Sequence, residues 1–177
     1  MTYDIPWSIQ SIAYAVLMLF ILPVVFTSGS EFIFTKRLSF GVSMFSLALG
    51  GVLLMIGTLQ IVSSKVIIDN NSITLSSLMY NETFIFNDIE HVSDVYDMTL
   101  PRHDKPTLRK NGIGLLGYNA GTFRFSDNKT GFVMMATPPY LVIELKGGNR
   151  KAVFSADRKV HEEIRGHLTS LVHDNHS

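Results

Sequence analysis

Charged side chains are almost missing from the first third of the chain: between Asp4 and Glu31, and again between Arg37 and Lys65, every residue is apolar or uncharged. The first of these runs contains WSIQSIAYAVLMLFILPVVF, residues 7–26, which as an α-helix would rise about 30 Å, the thickness of a bilayer's hydrocarbon core. Pro6 suits the first turn of such a helix, Trp7 the membrane interface, and Pro23 lies near enough to the far end to be tolerated. The second run, residues 38–62, is also long enough to cross. Residues 1–64 are therefore expected to form a transmembrane helical hairpin with spans at about 7–26 and 38–62. A cleaved signal peptide fits poorly, because no Lys or Arg precedes the run, the run exceeds a usual signal core, and a second run follows directly. Ser43, Ser46, Gly50 and Gly57, at offsets of three, four and seven, put small residues on one face of the second helix, where the first helix or another copy could approach closely.

From Lys65 the period changes. KVIID, SITLSSL, TFIF and IEHVSDVY are separated by the turn pairs Asn70-Asn71, Asn81-Glu82 and Asn87-Asp88. After a polar, proline-bearing loop come GTFRF, FVMMAT, YLVIEL and KAVFS, divided by SDNKTG, Pro138-Pro139 and Gly147-Gly148-Asn149. Short runs at this spacing predict seven or eight strands of a small β-barrel. Beyond them Val160, Ile164, Leu168 and Leu171 or Val172 recur every three or four residues, which predicts one amphipathic helix with Ser155 or Asp157 as N-cap. Its apolar stripe needs a cover, and an open end of the barrel supplies one. The expected fold is α+β, mainly β in residues 65–177.

Charge narrows the function. The chain carries 15 basic and 15 acidic residues, so no field strong enough to recruit nucleic acid exists. The absence of cysteine removes disulfides, thiolate metal sites and cysteine nucleophiles together. Orientation rests on Lys36 and Arg37 in the loop between the spans against Lys65 after the second, a margin of one charge that leaves both sides open to the β domain.

The segment RKNGIGLLGYNAGTF, residues 109–123, contains Gly112-x-Gly114-x-x-Gly117, the spelling of a phosphate-cradling loop. Such a cradle needs a buried strand before the glycines and a helix after them. Here a polar stretch with two prolines precedes and an alternating hairpin follows, so nucleotide binding is rejected. Gly112, Gly114, Gly117 and Gly121 instead suit a loop re-entering the barrel, anchored by Ile113, Leu115, Leu116 and Tyr118 packing inward.

The same stretch carries a resemblance. Arg109, Asn111, Gly112, Ile113, Gly117, Tyr118, Gly121 and Phe123, followed by a hairpin, an apolar strand and Ser155-x-Asp157 before the last helix, resemble bacterial pleckstrin-homology-like domains over residues 66–172. Leu116 stands where that pattern carries proline. The resemblance implies a seven-stranded, strongly bent antiparallel barrel capped by a C-terminal helix, often attached to membrane spans. It implies no catalytic activity and no established ligand or cofactor.

Three functional expectations follow. The leading one is a non-catalytic interaction or assembly module integral to a bilayer, in a bacterial cytoplasmic membrane if the resemblance holds, with a protein partner or a second copy as its ligand. A second rests on Arg102, His103, Lys105, Arg109 and Lys110, a basic cluster that a membrane tether would hold near anionic lipid headgroups. Asp97 and Asp104 dilute that cluster. The third, a membrane-proximal hydrolase, requires His91, His103 or His161 within hydrogen-bond reach of a carboxylate in a water-excluding pocket. Metal binding is not expected: His161-Glu162-Glu163 begins like a zinc-helix motif, but position 165 is arginine, and His161, His167 and His173 diverge around a helix.

Overall fold

The structure, a computed structural model, describes residues 1–36, 40–97, 103–148 and 150–174, with side chains throughout except at 35 and 169–174. Ser8 opens the first helix, its Oγ accepting the Ser11 amide at 3.2 Å. The helix proceeds as α1 (Ile9–Ala15), a π-helical stretch (Val16–Ile21) and α2 (Leu22–Thr35). Pro6 therefore precedes the helix instead of sitting in its first turn, and the helix runs well past residue 26. Pro23 lacks the amide that would close a turn on Leu19, and the backbone widens into π turns just ahead of it. α3 (Phe40–Val62) returns antiparallel. Both helices, Ile9–Phe34 and Phe40–Val62, are long and apolar enough to cross a membrane.

The small-residue face of α3 is used within the chain. Ser46, Gly50 and Gly57 are buried and Ser43 is half-buried. Gly50 meets Phe20 and Val24, Gly57 meets Leu19, and Thr27 Oγ1 donates to Ser46 Oγ at 2.8 Å. With the first helix seated there, that face is not open to a second copy.

Among the described residues ten strands form two sheets. The first holds β1 (Thr2–Asp4), β2 (Lys65–Ile68), β3 (Ser72–Ser76) and β4 (Asn81–Ile85) in that order, all antiparallel. The second comprises β5 (Ile89–Val95), β6 (Pro106–Leu115), β7 (Tyr118–Phe125), β8 (Thr130–Met135), β9 (Tyr140–Leu145) and β10 (Arg150–Ser155), in the order β5-β9-β10-β8-β7-β6. Two expectations are corrected here. First, β10 lies between β9 and β8 and pairs parallel with β8, so the second sheet is mixed and the β portion is not wholly antiparallel. Pro138 and Pro139 offer no amide for a tight β8–β9 hairpin, and Ser155 Oγ accepts the Ala136 amide at 2.8 Å while Pro139 O accepts that of Ala156, which lets the end of β10 slot in. Second, the stretch read as a loop from residue 106 through the glycines is a long strand, β6, paired to β7.

One core joins both sheets to the last helix, α4 (Arg158–Asp174). Ile68, Ile73, Leu75 and Phe84 of the first sheet meet Met134, Leu141, Ile143 and Phe154 of the second, and Val160 and Ile164 of α4 close over them with Leu168 at the margin. This is the expected stripe at its expected spacing; the side chains of Leu171 and Val172 lie outside the described set. Asp157 stands directly before α4 and its carbonyl accepts from Val160 and His161, whereas Ser155 belongs to β10.

Lys151 of β10 is buried among three carboxylates: Asp127 Oδ2 at 2.7 Å, Glu144 Oε1 at 3.1 Å and Asp104 Oδ1 at 3.5 Å. Burial opposes its charge, but the hydrogen bonds to Asp127 and Glu144 outweigh burial and raise its pKa above the ordinary lysine value. Burial likewise opposes the charge on Asp127, and Lys151 with the Lys129 amide outweighs it, lowering that carboxyl. Asp127 thus contributes stability above the ordinary carboxylate pKa that is lost as pH falls through its depressed value, and Lys151 contributes stability below the ordinary lysine pKa that is lost as pH rises through its raised one. The part of thermal stability that this pair contributes, read as the difference between the wild type and Asp127→Asn, should be constant between about pH 5 and pH 9 and shrink outside. Lys151→Met, which strands the carboxylates, is expected to cost roughly 3 kcal/mol of stability at pH 7, read by chemical denaturation.

Candidate functional site

The β6–β7 hairpin turns at Leu116-Gly117, with Gly117 at φ +81°. Its alternation gives it two faces. Ile113, Leu115, Tyr118 and Ala120 pack against Ala15, Leu19, Leu54 and Ile61 of the membrane-type helices, while Asn119 and Phe123 of β7 face the other way with Gly114 and Arg109 of β6. Leu116, expected to pack inward, is exposed at the tip. Gly112 and Gly121 face each other in register, and a Cβ on either would come within about 2.3 Å of the opposing backbone carbonyl, so the pair permits a close strand approach beside a bulge between Arg109 and Asn111.

On the open face lies a cleft of about 640 Å³, bounded by Lys105, Thr107, Arg109, Gly114 and Asn119, with Phe123 and Met135 at its floor and Leu116 and Gly117 at one end. Gly114 leaves room for a guanidinium: its missing Cβ would stand 3.1 Å from Arg109 Nη1, so the Arg109 side chain runs back along β6 toward the turn. The cleft combines two cations, polar side chains and an apolar floor, a composition suited to an amphiphile with an anionic head.

The sequence-level basic cluster is therefore sorted by the fold. Lys105 and Arg109 share the cleft. Lys110 points elsewhere and donates to Thr130 Oγ1 at 2.9 Å. Asn111 is exposed on β6 and His103 is exposed before it, whereas Arg102 lies outside the described residues. Asp104, counted above as diluting the cluster, is drawn off to Lys151.

The glycine end of the cleft is fixed to the helices. Ser11 Oγ of α1 donates to Gly117 O at 2.8 Å, and a Cβ on Gly117 would meet Ser11 Oγ at 3.0 Å. Next to it, Tyr118 is completely buried; its hydroxyl lies 2.7 Å from Ser64 Oγ and accepts Gln60 Nε2 at 3.0 Å. Burial raises the phenol's pKa against the opposing hydrogen bonds from Ser64 and Gln60, so it stays neutral. Gln60, a buried amide in an otherwise apolar turn of α3, also donates to Ser77 Oγ at 2.7 Å and accepts the Met79 amide at 3.0 Å. A lone Gln within an apolar run gave no sequence signal of this role.

A second cleft, about 420 Å³, lies beside α4. There His161 Nδ1 stands 2.6 Å from Asp94 Oδ1, and Arg165 donates to Asp94 Oδ2 at 2.5 Å. The distance is that of the imidazole–carboxylate contact a hydrolase would need, yet among the described residues neither Asp94 Oδ1 nor His161 Nε2, the atom that would activate a nucleophile, has a hydrogen-bond partner, and the only hydroxyl lining the cleft is that of Tyr96. The contact clamps α4 to β5. Among the described residues no group of three His, Asp or Glu could hold a metal ion.

No protein family, curated protein or solved structure matches this chain. Several residues of the glycine motif have geometric duties here: Gly112 and Gly121 in strand approach, Gly117 in the turn, Tyr118 in the joint to the helices.

Tyr118→Phe leaves Ser64 and Gln60 each short of a partner and should cost about 1–2 kcal/mol of stability. Gln60→Leu strands the Met79 amide as well, and amide hydrogen exchange at Met79 should accelerate in that variant while exchange in β8 and β10 stays slow.

Proposed function

We propose that the chain is a non-catalytic, membrane-anchored interaction module, its helices spanning a bilayer and its β portion a divergent pleckstrin-homology-like domain that offers the β6–β7 cleft to an anionic lipid headgroup. A bacterial cytoplasmic membrane is the proposed setting. The observation that carries this reading is the position of the cleft: one end is Gly117, hydrogen-bonded to Ser11 at the start of the first helix, so a bilayer traversed by that helix would present its headgroups to the end of the cleft toward which the Arg109 side chain runs. The apolar floor at Phe123 and Met135 supports a lipid over a free anion. The parallel β8–β10 pair is a departure from the antiparallel barrel the resemblance implies.

Native mass spectrometry of the full-length protein, released from detergent containing equal anionic and zwitterionic phospholipid, tests the reading. The wild type should retain anionic lipid preferentially. Lys105→Gln with Arg109→Gln should weaken that retention by about 2 kcal/mol in all, roughly thirtyfold, whereas Lys110→Gln should leave it unchanged. Equal retention of both lipids by the wild type would overturn the headgroup assignment.

A further inference from the structure

Apolar residues crowd the end of the β domain where the helices emerge. The β3–β4 turn exposes Leu78 at 53% and Met79 at 57%, and the β6–β7 turn exposes Leu116 at 53%. Both turns are fastened to helix ends: Ser63 Oγ accepts the Leu78 amide at 2.9 Å just after α3, and Ser11 Oγ holds Gly117 O at the start of α1.

Helix geometry fixes where a bilayer would begin. Glu31 is the first charge of the helix, and twenty residues back from it, about 30 Å at 1.5 Å per residue, is Ser11. One turn toward the loop from the Thr27–Ser46 contact, Glu31 comes level with Val42, and twenty residues on from Val42 is Val62, the end of α3. Counted from the one level of Glu31, both helices thus put the edge of the hydrocarbon at the residues that hold the two turns.

The backbone at the β3–β4 turn fits such a place. A segment at the lipid boundary must satisfy its amides within the protein, and here Ser63 Oγ, Gln60 Oε1 and Ser77 Oγ take the amides of Leu78, Met79 and Tyr80. What the turn shows to the outside is side chain, and that side chain is apolar.

From this we infer that the Leu78–Met79 and Leu116 turns are seated in the headgroup–acyl boundary of the same bilayer leaflet, so that the β domain is partly sunk in the membrane instead of standing off it. The inference rests on the membrane-spanning reading of the helices and names lipid as the occupant of this face.

The chain has no cysteine, so single cysteines can be spin-labelled in the full-length protein reconstituted into liposomes. Leu78→Cys, Met79→Cys and Leu116→Cys are the test sites. Leu22→Cys, exposed at 52% near mid-helix, reports on spanning, and Ile85→Cys, exposed at 50% at the other end of β4 from the turn, is an equally apolar reference. Relaxation by oxygen should exceed relaxation by a water-soluble nickel chelate at 78, 79, 116 and 22, with the reverse at 85. If 78, 79 and 116 behave like 85 while 22 remains lipid-exposed, the seating is wrong and the span stands. Low accessibility to both reagents at the turns would overturn the inference in favour of a protein partner. A water-accessible label at 22 would remove the membrane reading and this inference with it.

Discussion

A buried cluster of hydrogen bonds between Gln60, Ser64, Ser77 and Tyr118 governs how the two chemically different parts of this chain are assembled. Leaving an amide, two hydroxyls and a phenol unpaired at the margin of an apolar medium would be costly, and each finds its partners only if β7, the β3–β4 turn and the last turn of α3 meet in one arrangement. Apolar packing of Ile113, Leu115 and Ala120 against Ala15 and Ile61 supplies the area of that contact; the polar groups supply its register. Because direction comes from hydrogen bonds and area from side chains that tolerate small slips, the first sets the pose and the second strengthens it.

The β6–β7 hairpin inherits its character from this joint. A strand with one face committed to the helices has the other free for a different chemistry, and the glycines allow both faces to work at close quarters. Gly112 and Gly121 bring the strands together, Gly114 makes space for Arg109, and Gly117 lets the turn rest against Ser11. The spelling that suggests a nucleotide loop here serves three separate steric needs along one hairpin: strand approach, room for a guanidinium and a tight turn.

How much of this was legible in the sequence follows from what each element depends on. The two apolar helices declare themselves through the absence of charge, which is a property of composition alone. Their ends do not, since Ser8 capping at Ile9 and the continuation past Pro23 are decided by local hydrogen bonds. Strands such as β3 and β9 are visible from their own side chains, and α4 from Val160, Ile164 and Leu168. β6 is hidden because Pro106, Arg109, Lys110 and Asn111 have little strand preference, and as a sheet-edge strand it is held by β7 from one side only. The parallel placement of β10 beside β8 is a tertiary choice that short-range pattern does not carry. Of the candidate site, Lys105, Arg109, Gly114, Gly117 and Phe123 were named from sequence and are brought to the cleft, whereas Gln60 and Ser11 acquire meaning only from what lies opposite them in space.

β1 bears on how the molecule is put together. Thr2–Asp4 form antiparallel ladder bonds with Lys65–Ile68, so the segments flanking the helical pair are stitched to each other. Both flanks therefore lie on the same side of the helical pair, and β1 has no mate until the ribosome has delivered everything up to Ile68. Under the proposed membrane-spanning reading, insertion of the pair is thereby coupled to completion of the sheet: a first helix that inverted or slipped would carry β1 out of reach of its ladder.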